Sequence, residues 1–269
     1  MVTRTVPTDF ATIGAAAAVS QSGDVINVIA GYSGSETSAI PVSGLTIHVS
    51  QRFGQIALTL QGSAETLTAT GIGDVHLIGN AANNILTGND GLNFLRGGPG
   101  NDTLDGRGGF DFADYAFATG PVQVTLTDPA TPNGPTGGFS SGPHGSDTLI
   151  NIEGIRGSAH NDTLTGNSSQ NFLRGGVGDD TLIGGGGHDY ADYFNASAGV
   201  QVTLTDPTTP DGPSGGFSAG PDGADTLIGI SSIQGSTFND TLTGNSASNY
   251  LRGSLGDDIL RGGGPSEPS

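Results

Sequence analysis

Beyond residue 70 the chain follows a short, regular pattern. Six positions rich in Gly, Asn and Asp precede three whose middle residue is apolar, as in Thr103-Leu104-Asp105 and Phe172-Leu173-Arg174. Glycine tolerates the positive φ of tight turns and leaves no Cβ where turns stack closely, so each six-residue stretch is expected to turn. The three residues that follow fit a short strand with its central side chain pointing inward, because successive side chains alternate faces. Leu86, Leu95, Leu104, Leu164, Leu173, Leu182, Leu242, Leu251 and Leu260 fill that central position. One nine-residue unit is half a coil, so units two apart are expected to stack, sharing a thin column of Leu. Each unit alone buries almost nothing, and stacking supplies the core.

Two inserts, 114–141 and 192–219, interrupt the pattern. Each carries Val-Gln-Val-Thr-Leu-Thr, from Val122 and from Val200, an alternating strand signal. A Pro-rich loop follows that cannot donate to a ladder, so the inserts read as wider rungs bearing a protruding loop. Phe94, Phe172 and Tyr250 recur beside Leu, each followed two residues later by Arg96, Arg174 or Arg252, and are expected to form outward stripes.

The first 70 residues have a different pattern, with Asp9-Phe10-Ala11-Thr12-Ile13, Gly23-Asp24-Val25-Ile26-Asn27-Val28, Gly44-Leu45-Thr46-Ile47 and the alternating Gln55-Ile56-Ala57-Leu58-Thr59-Leu60. These segments resemble the opening rungs of pectin-lyase-like right-handed β-helices. The resemblance implies a short capping helix over residues 11–20 before the first coils. Physically, a solenoid end exposes apolar core and unpaired strand edges, and a cap covers both.

Composition first complicates this reading. With 33% hydrophobic residues and a net charge of −18 the 269-residue chain sits near the disordered class. Regularity argues otherwise: residues 79–156 and 157–234 agree at about 50 of 78 aligned positions, and a third, partial copy begins at Gly235. The expected division is a capping segment 1–70, repeat units 71–156, 157–234 and 235–264, and a disordered tail 265–269. The fold expected is an all-β, right-handed parallel β-solenoid.

Charge and residue choice exclude whole classes of chemistry. All eight cations are Arg, which removes a phosphate-loop lysine, a Schiff base and a polybasic membrane patch. The absence of Cys removes disulfides and thiolate metal sites. A −18 surface repels nucleic-acid phosphates, and no apolar run is long enough to span a bilayer. Arg4, Asp9, Asp24, Tyr32, His48 and Arg52 form no recognisable catalytic constellation, and His76, His144, His160 and His188 occupy repeat positions filled elsewhere by other residues. The expectation is therefore a protein that is not an enzyme.

The sixth position of each unit carries the candidate chemistry. It reads Asn84, Asn93, Asp102 and Asp111, then Asp162, Asn171, Asp180 and Asp189, then Asp240, Asn249 and Asp258. Stacking two apart pairs Asn84 with Asp102, Asn93 with Asp111, Asp162 with Asp180, Asn171 with Asp189 and Asp240 with Asp258. One such Asp is explained by an Asx-turn, but a column of carboxylates repels unless a cation intervenes. Ca²⁺ suits, since it takes six to eight oxygens and turn carbonyls can complete the set. Gly97-Gly98-Pro99-Gly100-Asn101-Asp102-Thr103-Leu104-Asp105 matches G-G-x-G-x-D-x-U-x. Residues 175–183 and 253–261 repeat it, and weaker copies begin at Gly79, Gly88, Gly106, Gly157, Gly166, Gly184, Gly235 and Gly244, with two more, 142–150 and 220–228, after the inserts.

From about residue 71 to 264 the chain thus resembles the RTX, or haemolysin-type calcium-binding repeat, family. The resemblance implies several bound Ca²⁺ ions. It also implies further ligands from the carbonyls of Gly97, Pro99, Gly157, Ala159, Gly175, Val177, Gly235, Thr237, Gly253 and Leu255. The two-carboxylate pairs Asp162/Asp180 and Asp240/Asp258 are expected to be the strongest sites. The function expected is a secreted structural or surface-interaction protein, such as an adhesin stalk, surface-layer or filament component. Its expected partners are calcium, other copies of itself end to end or cell-surface polysaccharide, with no nucleic acid and no membrane insertion. The alternative is the noncatalytic calcium module of an extracellular polysaccharide lyase or epimerase. The resemblance implies an extracellular location through type I secretion. No secretion signal is recognised in this chain, which would suit a fragment or an engineered chain.

Overall fold

The computed structural model describes residues 1–29, 36–50, 56–131, 134, 136–207 and 213–263. Tyr32, Arg52, much of both Pro-rich loops and the tail at 265–269 lie outside the described residues. The chain is a nearly all-β parallel solenoid that divides into two compact units, one of residues 1–114 with 129–152, the other of 115–128 with 153–269.

In the first unit one sheet runs in parallel through Thr3–Val6, Val25–Val28, Leu45–Val49, Thr66–Gly71, Ile85–Thr87, Thr103–Asp105 and Thr148–Ile150. The other runs through Glu36–Ile40, Ile56–Leu60, Val75–Ile78, Asn93–Arg96 and Phe112–Asp114. The coil narrows along the chain. Val25 lies beside Thr46 and Thr46 beside Thr68, whereas Ile85 lies beside Thr103, one strict pair of nonapeptides later. The early strands are long enough to bury two or three alternate residues, such as Leu45, Ile47 and Val49, while Thr103–Asp105 buries Leu104 alone.

The cap is real but shorter than the sequence suggests: one helix, Ile13–Ala17, rather than residues 11–20. Thr12 stops it at the front, its hydroxyl accepting the Ala15 N–H at 3.1 Å. Ala18 is the C-cap, and the Ser20 hydroxyl donates to the Ala16 carbonyl at 2.9 Å. Ile13, Ala16 and Ala17 are fully buried. Asp24 fastens the first rung, accepting from the Val2 and Gln21 amides and pairing with Arg4 at 2.6 Å. His48 hydrogen-bonds Thr70 at 3.0 Å, and Asp9 accepts the Thr5 N–H.

In the second unit one sheet contains Gln123–Thr127, Thr163–Thr165, Thr181–Ile183, Thr226–Ile228, Gly215–Ala219, Gln201–Thr205, Thr241–Thr243 and Ile259–Arg261. The other contains Gly154–Arg156, Phe172–Arg174, Tyr190–Asp192, Ser232–Gln234 and Tyr250–Arg252. Leu164, Leu173, Leu182 and Leu242 are fully buried, as the inward position requires. The insert departs from a simple wide rung. Gly215–Ala219 pairs antiparallel with both Gln201–Thr205 and Thr226–Ile228, so one reversed strand is built into the parallel sheet. In the first unit Gly137–Ser141 likewise runs antiparallel to Thr148–Ile150.

The aromatic positions stack along the sheets instead of standing free. Phe94 lies between His76 and Phe112, with ring centroids 4.6 and 4.8 Å apart, and Phe172 lies 4.2 Å from Tyr190. Tyr250 is more than half exposed. Arg96 pairs with Asp114, and Arg174 with Asp192, each across one coil. No described helix is long and apolar enough to cross a membrane.

Candidate calcium-binding turns

Strand register determines which sixth residues meet. Thr103 pairs with Ile85, Thr163 with Thr181, Phe172 with Tyr190 and Thr241 with Ile259. Each sixth residue therefore sits directly over its partner two units away. Each contact joins a backbone N–H to a side-chain carboxylate: Asn84 donates its N–H to Asp102 Oδ1 at 2.7 Å, Asn93 to Asp111 at 2.8 Å, Asp162 to Asp180 at 2.8 Å, Asn171 to Asp189 at 2.9 Å and Asp240 to Asp258 at 2.9 Å. All five pairs expected from the sequence are brought together.

The columns are longer than the eleven residues singled out above. The Asp102 N–H donates to Asp147 Oδ1 at 3.0 Å, and the Asp180 N–H to Asp225 Oδ1 at 3.0 Å. The Val122 and Val200 amides donate to Asp162 and Asp240 at 2.8 Å. Asp147 and Asp225 are the sixth residues of the copies that follow the inserts. Their Gly-Pro-His-Gly-Ser-Asp and Gly-Pro-Asp-Gly-Ala-Asp turns were visible in the sequence, but the stacking across 45 residues was not. Asp225 is fully occupied: its other oxygen accepts from the hydroxyls of Tyr193 at 2.8 Å and Ser218 at 3.0 Å. Burial and the adjacent Asp225 carboxylate hold the Tyr193 hydroxyl well above its usual range.

Other second oxygens have no such donors. Asp102 Oδ2, Asp180 Oδ2 and Asp189 Oδ2 are buried without a hydrogen-bond partner, and the residues are at most 2% exposed. Burial pushes all three carboxyls up to about 7, helped at Asp180 by the neighbouring Asp225 and Asp162 carboxylates and at Asp102 by Asp147. An ionised carboxylate taken from water needs a counter-charge or donors, and here one oxygen has neither. A cation at that oxygen removes the deficit.

The turns leave space for a bare carboxylate only because the first residue is Gly. A Cβ at Gly97, Gly175 or Gly253 would lie 2.0 Å from the Oδ2 of Asp102, Asp180 or Asp258. At Gly184 the same atom would lie 2.5 Å from Asp189 Oδ2 and 2.7 Å from the Gly229 carbonyl. Carboxylate and carbonyl oxygens thus crowd one concave turn. Among the described residues no three His, Cys, Asp or Glu side chains converge as a metal group. A cation here must draw its remaining oxygens from the backbone, as hard Ca²⁺ readily does.

No curated protein matches the chain. A family model does: the RTX calcium-binding nonapeptide repeat matches residues 78–113, 156–191 and 234–264. Those repeats bind Ca²⁺, and the buried, donor-poor carboxylate oxygens at Asp102, Asp180 and Asp189 fit that cation. Each of these three segments therefore carries RTX calcium-binding nonapeptide repeats.

Proposed function

We propose that this calcium-binding structural protein is an extracellular scaffold or surface-interaction element that folds as calcium binds. The Ca²⁺ ions are assigned to the turns ending in Asp102, Asp111, Asp180, Asp189 and Asp258, joined by turn carbonyls such as those of Gly97, Pro99, Gly175, Val177, Gly253 and Leu255. The observation that carries the reading is the set of buried carboxylate oxygens at Asp102, Asp180 and Asp189 that no donor meets. Bound calcium supplies positive charge at those oxygens. The chain's own part is to bring a carboxylate and carbonyls into one turn and to tie that turn to the coil before it through the sixth-residue N–H. Because the unfolded chain holds no such turn, binding free energy becomes folding free energy.

Affinities of extracellular calcium modules lie on the order of 10⁻⁴–10⁻³ M, which places folding outside a cytosol and suits a stalk, surface-layer or filament component. Calcium-titrated far-UV circular dichroism, with electron microscopy of the folded product, tests the reading. A cooperative gain of β signal at millimolar calcium and extended particles support it. An EDTA-treated chain with the same spectrum and protease resistance overturns it. Incubation with alginate or pectin supplies a further check, because release of unsaturated uronate products would replace the scaffold reading with an enzymatic one.

A further inference from the structure

The stacked turns do not all leave a carboxylate oxygen bare. In six of them the sixth residue accepts the N–H of the second: Asn80 to Asn84 at 2.7 Å, Asn89 to Asn93 at 2.7 Å, Ser158 to Asp162 at 2.5 Å, Asn167 to Asn171 at 2.8 Å, Ser236 to Asp240 at 2.7 Å and Asn245 to Asn249 at 2.8 Å. In the same six, the second side chain accepts the N–H of the fourth residue at 2.8–3.1 Å, as Ser158 does from His160 and Ser236 from Phe238. Where the sixth residue is Asp, the second side chain also gives its hydroxyl proton: Ser158 to Asp162 Oδ1 at 2.9 Å and Ser236 to Asp240 Oδ1 at 2.7 Å. These turns satisfy themselves.

Besides the two turns after the inserts, whose second residue is Pro, five turns have opposite backbone geometry. Their second and fourth residues have positive φ: Gly98 and Gly100, Arg107 and Gly109, Gly176 and Gly178, Gly185 and Gly187, Ser254 and Gly256. Positive φ rotates the second N–H away, and the Asp102, Asp180 and Asp189 oxygens left bare all belong to this class. Each Gly-type turn stacks on a self-capped one 18 residues earlier.

Resting on the calcium reading above, we infer that the second and fourth residues of each turn decide whether a rung takes calcium. Ser158 and Ser236 act as built-in substitutes for the ion, so each stacked pair joins a metal-free turn to a metal-dependent one. Carboxylate number does not set occupancy: Asp162 and Asp240 carry the right charge, but their oxygens already have donors. Asp180 and Asp258, their partners, hold the ions.

The test converts one class into the other in the full-length chain and counts ions by equilibrium dialysis against radioactive calcium. Ser158→Gly/His160→Gly turns Gly-Ser-Ala-His-Asn-Asp into Gly-Gly-Ala-Gly-Asn-Asp. It is expected to bind one more Ca²⁺ per chain than the wild type, and Ser236→Gly/Phe238→Gly likewise. Gly176→Ser/Gly178→His, whose Cβ atoms oppose the positive-φ turn, is expected to bind one fewer. A wild type that binds calcium with an ion count unchanged in both gain-of-site variants overturns the inference and leaves the calcium reading standing. A wild type that binds none overturns the calcium reading itself.

Discussion

Asp180 shows what the ion must contribute at the level of one residue. One oxygen accepts the Asp162 N–H and the other is buried with nothing to accept, so in the absence of metal the carboxyl holds its proton up to about 7. Asp102 and Asp189 behave alike. Their folded values lie above the 3.8 of an unfolded Asp, so the metal-free fold binds more protons than the unfolded chain between those limits. Stability without calcium is therefore highest near pH 4 and is lost as pH rises through 7. Asp24, held at about 2 by the Gln21 and Val2 amides, titrates below that window and does not reverse the trend. Urea melts in EDTA are expected to give a higher midpoint at pH 4.5 than at 7.5, while calcium affinity moves the other way because the ion needs the ionised form. The same logic separates two substitutions. Asp180→Ala should impair calcium-driven folding more than Asn171→Ala. In EDTA the order reverses, because Asn171 accepts from Asn167 and donates to the Glu153 carbonyl, bonds worth about 1 kcal/mol each, whereas Asp180 sheds an uncompensated burial. Equal effects in both conditions would contradict this.

At the scale of the coil, the inward Leu and the turn Gly are separable contributions. Leu182 is fully buried and Leu260 is 48% exposed, so Leu182→Ala in the calcium form is expected to cost about 2–5 kcal/mol and Leu260→Ala markedly less, read from denaturant midpoints. Gly176 has φ +112, and a Cβ there would lie 2.2 Å from the Ser158 carbonyl. Gly176→Ala thus meets both backbone strain and a clash, whereas Gly62, also at positive φ, has open space around it and tolerates Ala better. Much of this was legible in the sequence, because a nine-residue period fixes which Leu points inward and which sixth residues stack. What escaped it is non-local. The reversed strand Gly215–Ala219 starts with two Gly and carries no alternation strong enough to announce a ladder. Asp147 and Asp225 join their columns only because the inserts fold out between copies 45 residues apart. The letters alone also hide a difference in surroundings: Asp162 and Asp180 look equivalent in the sequence, yet Ser158 gives Asp162 donors.

Across the whole chain, 26 acids against eight Arg must be confined in a narrow solenoid, and the two kinds of coil meet that demand differently. Among the described residues, the coils before residue 79 contain no stacked Asp column. Their strands bury Ile26, Val28, Leu45, Ile47, Val49, Ile56, Leu58, Leu67, Val75 and Leu77, and the helix Ile13–Ala17 packs its apolar face on the same core. At about 25 cal/mol per Å² of apolar surface, such coils hold much of their stability in hydrophobic burial. The repeat coils bury little more than one aliphatic side chain per strand and, at Asp102, Asp111, Asp180 and Asp189, a carboxylate, so ordering backbone at about 1–2 kcal/mol per residue leaves them little surplus. Removing calcium therefore should not melt the protein evenly. In EDTA at neutral pH, amide exchange is expected to stay slow in Val25–Val28, Leu45–Val49, Ile56–Leu60 and Val75–Ile78 and to become fast in Thr181–Ile183 and Tyr190–Asp192, with millimolar calcium restoring protection to the latter cooperatively. Exchange that rises equally in both sets, or that leaves Thr181–Ile183 slow without the ion, would show that the Leu column alone carries the repeat coils.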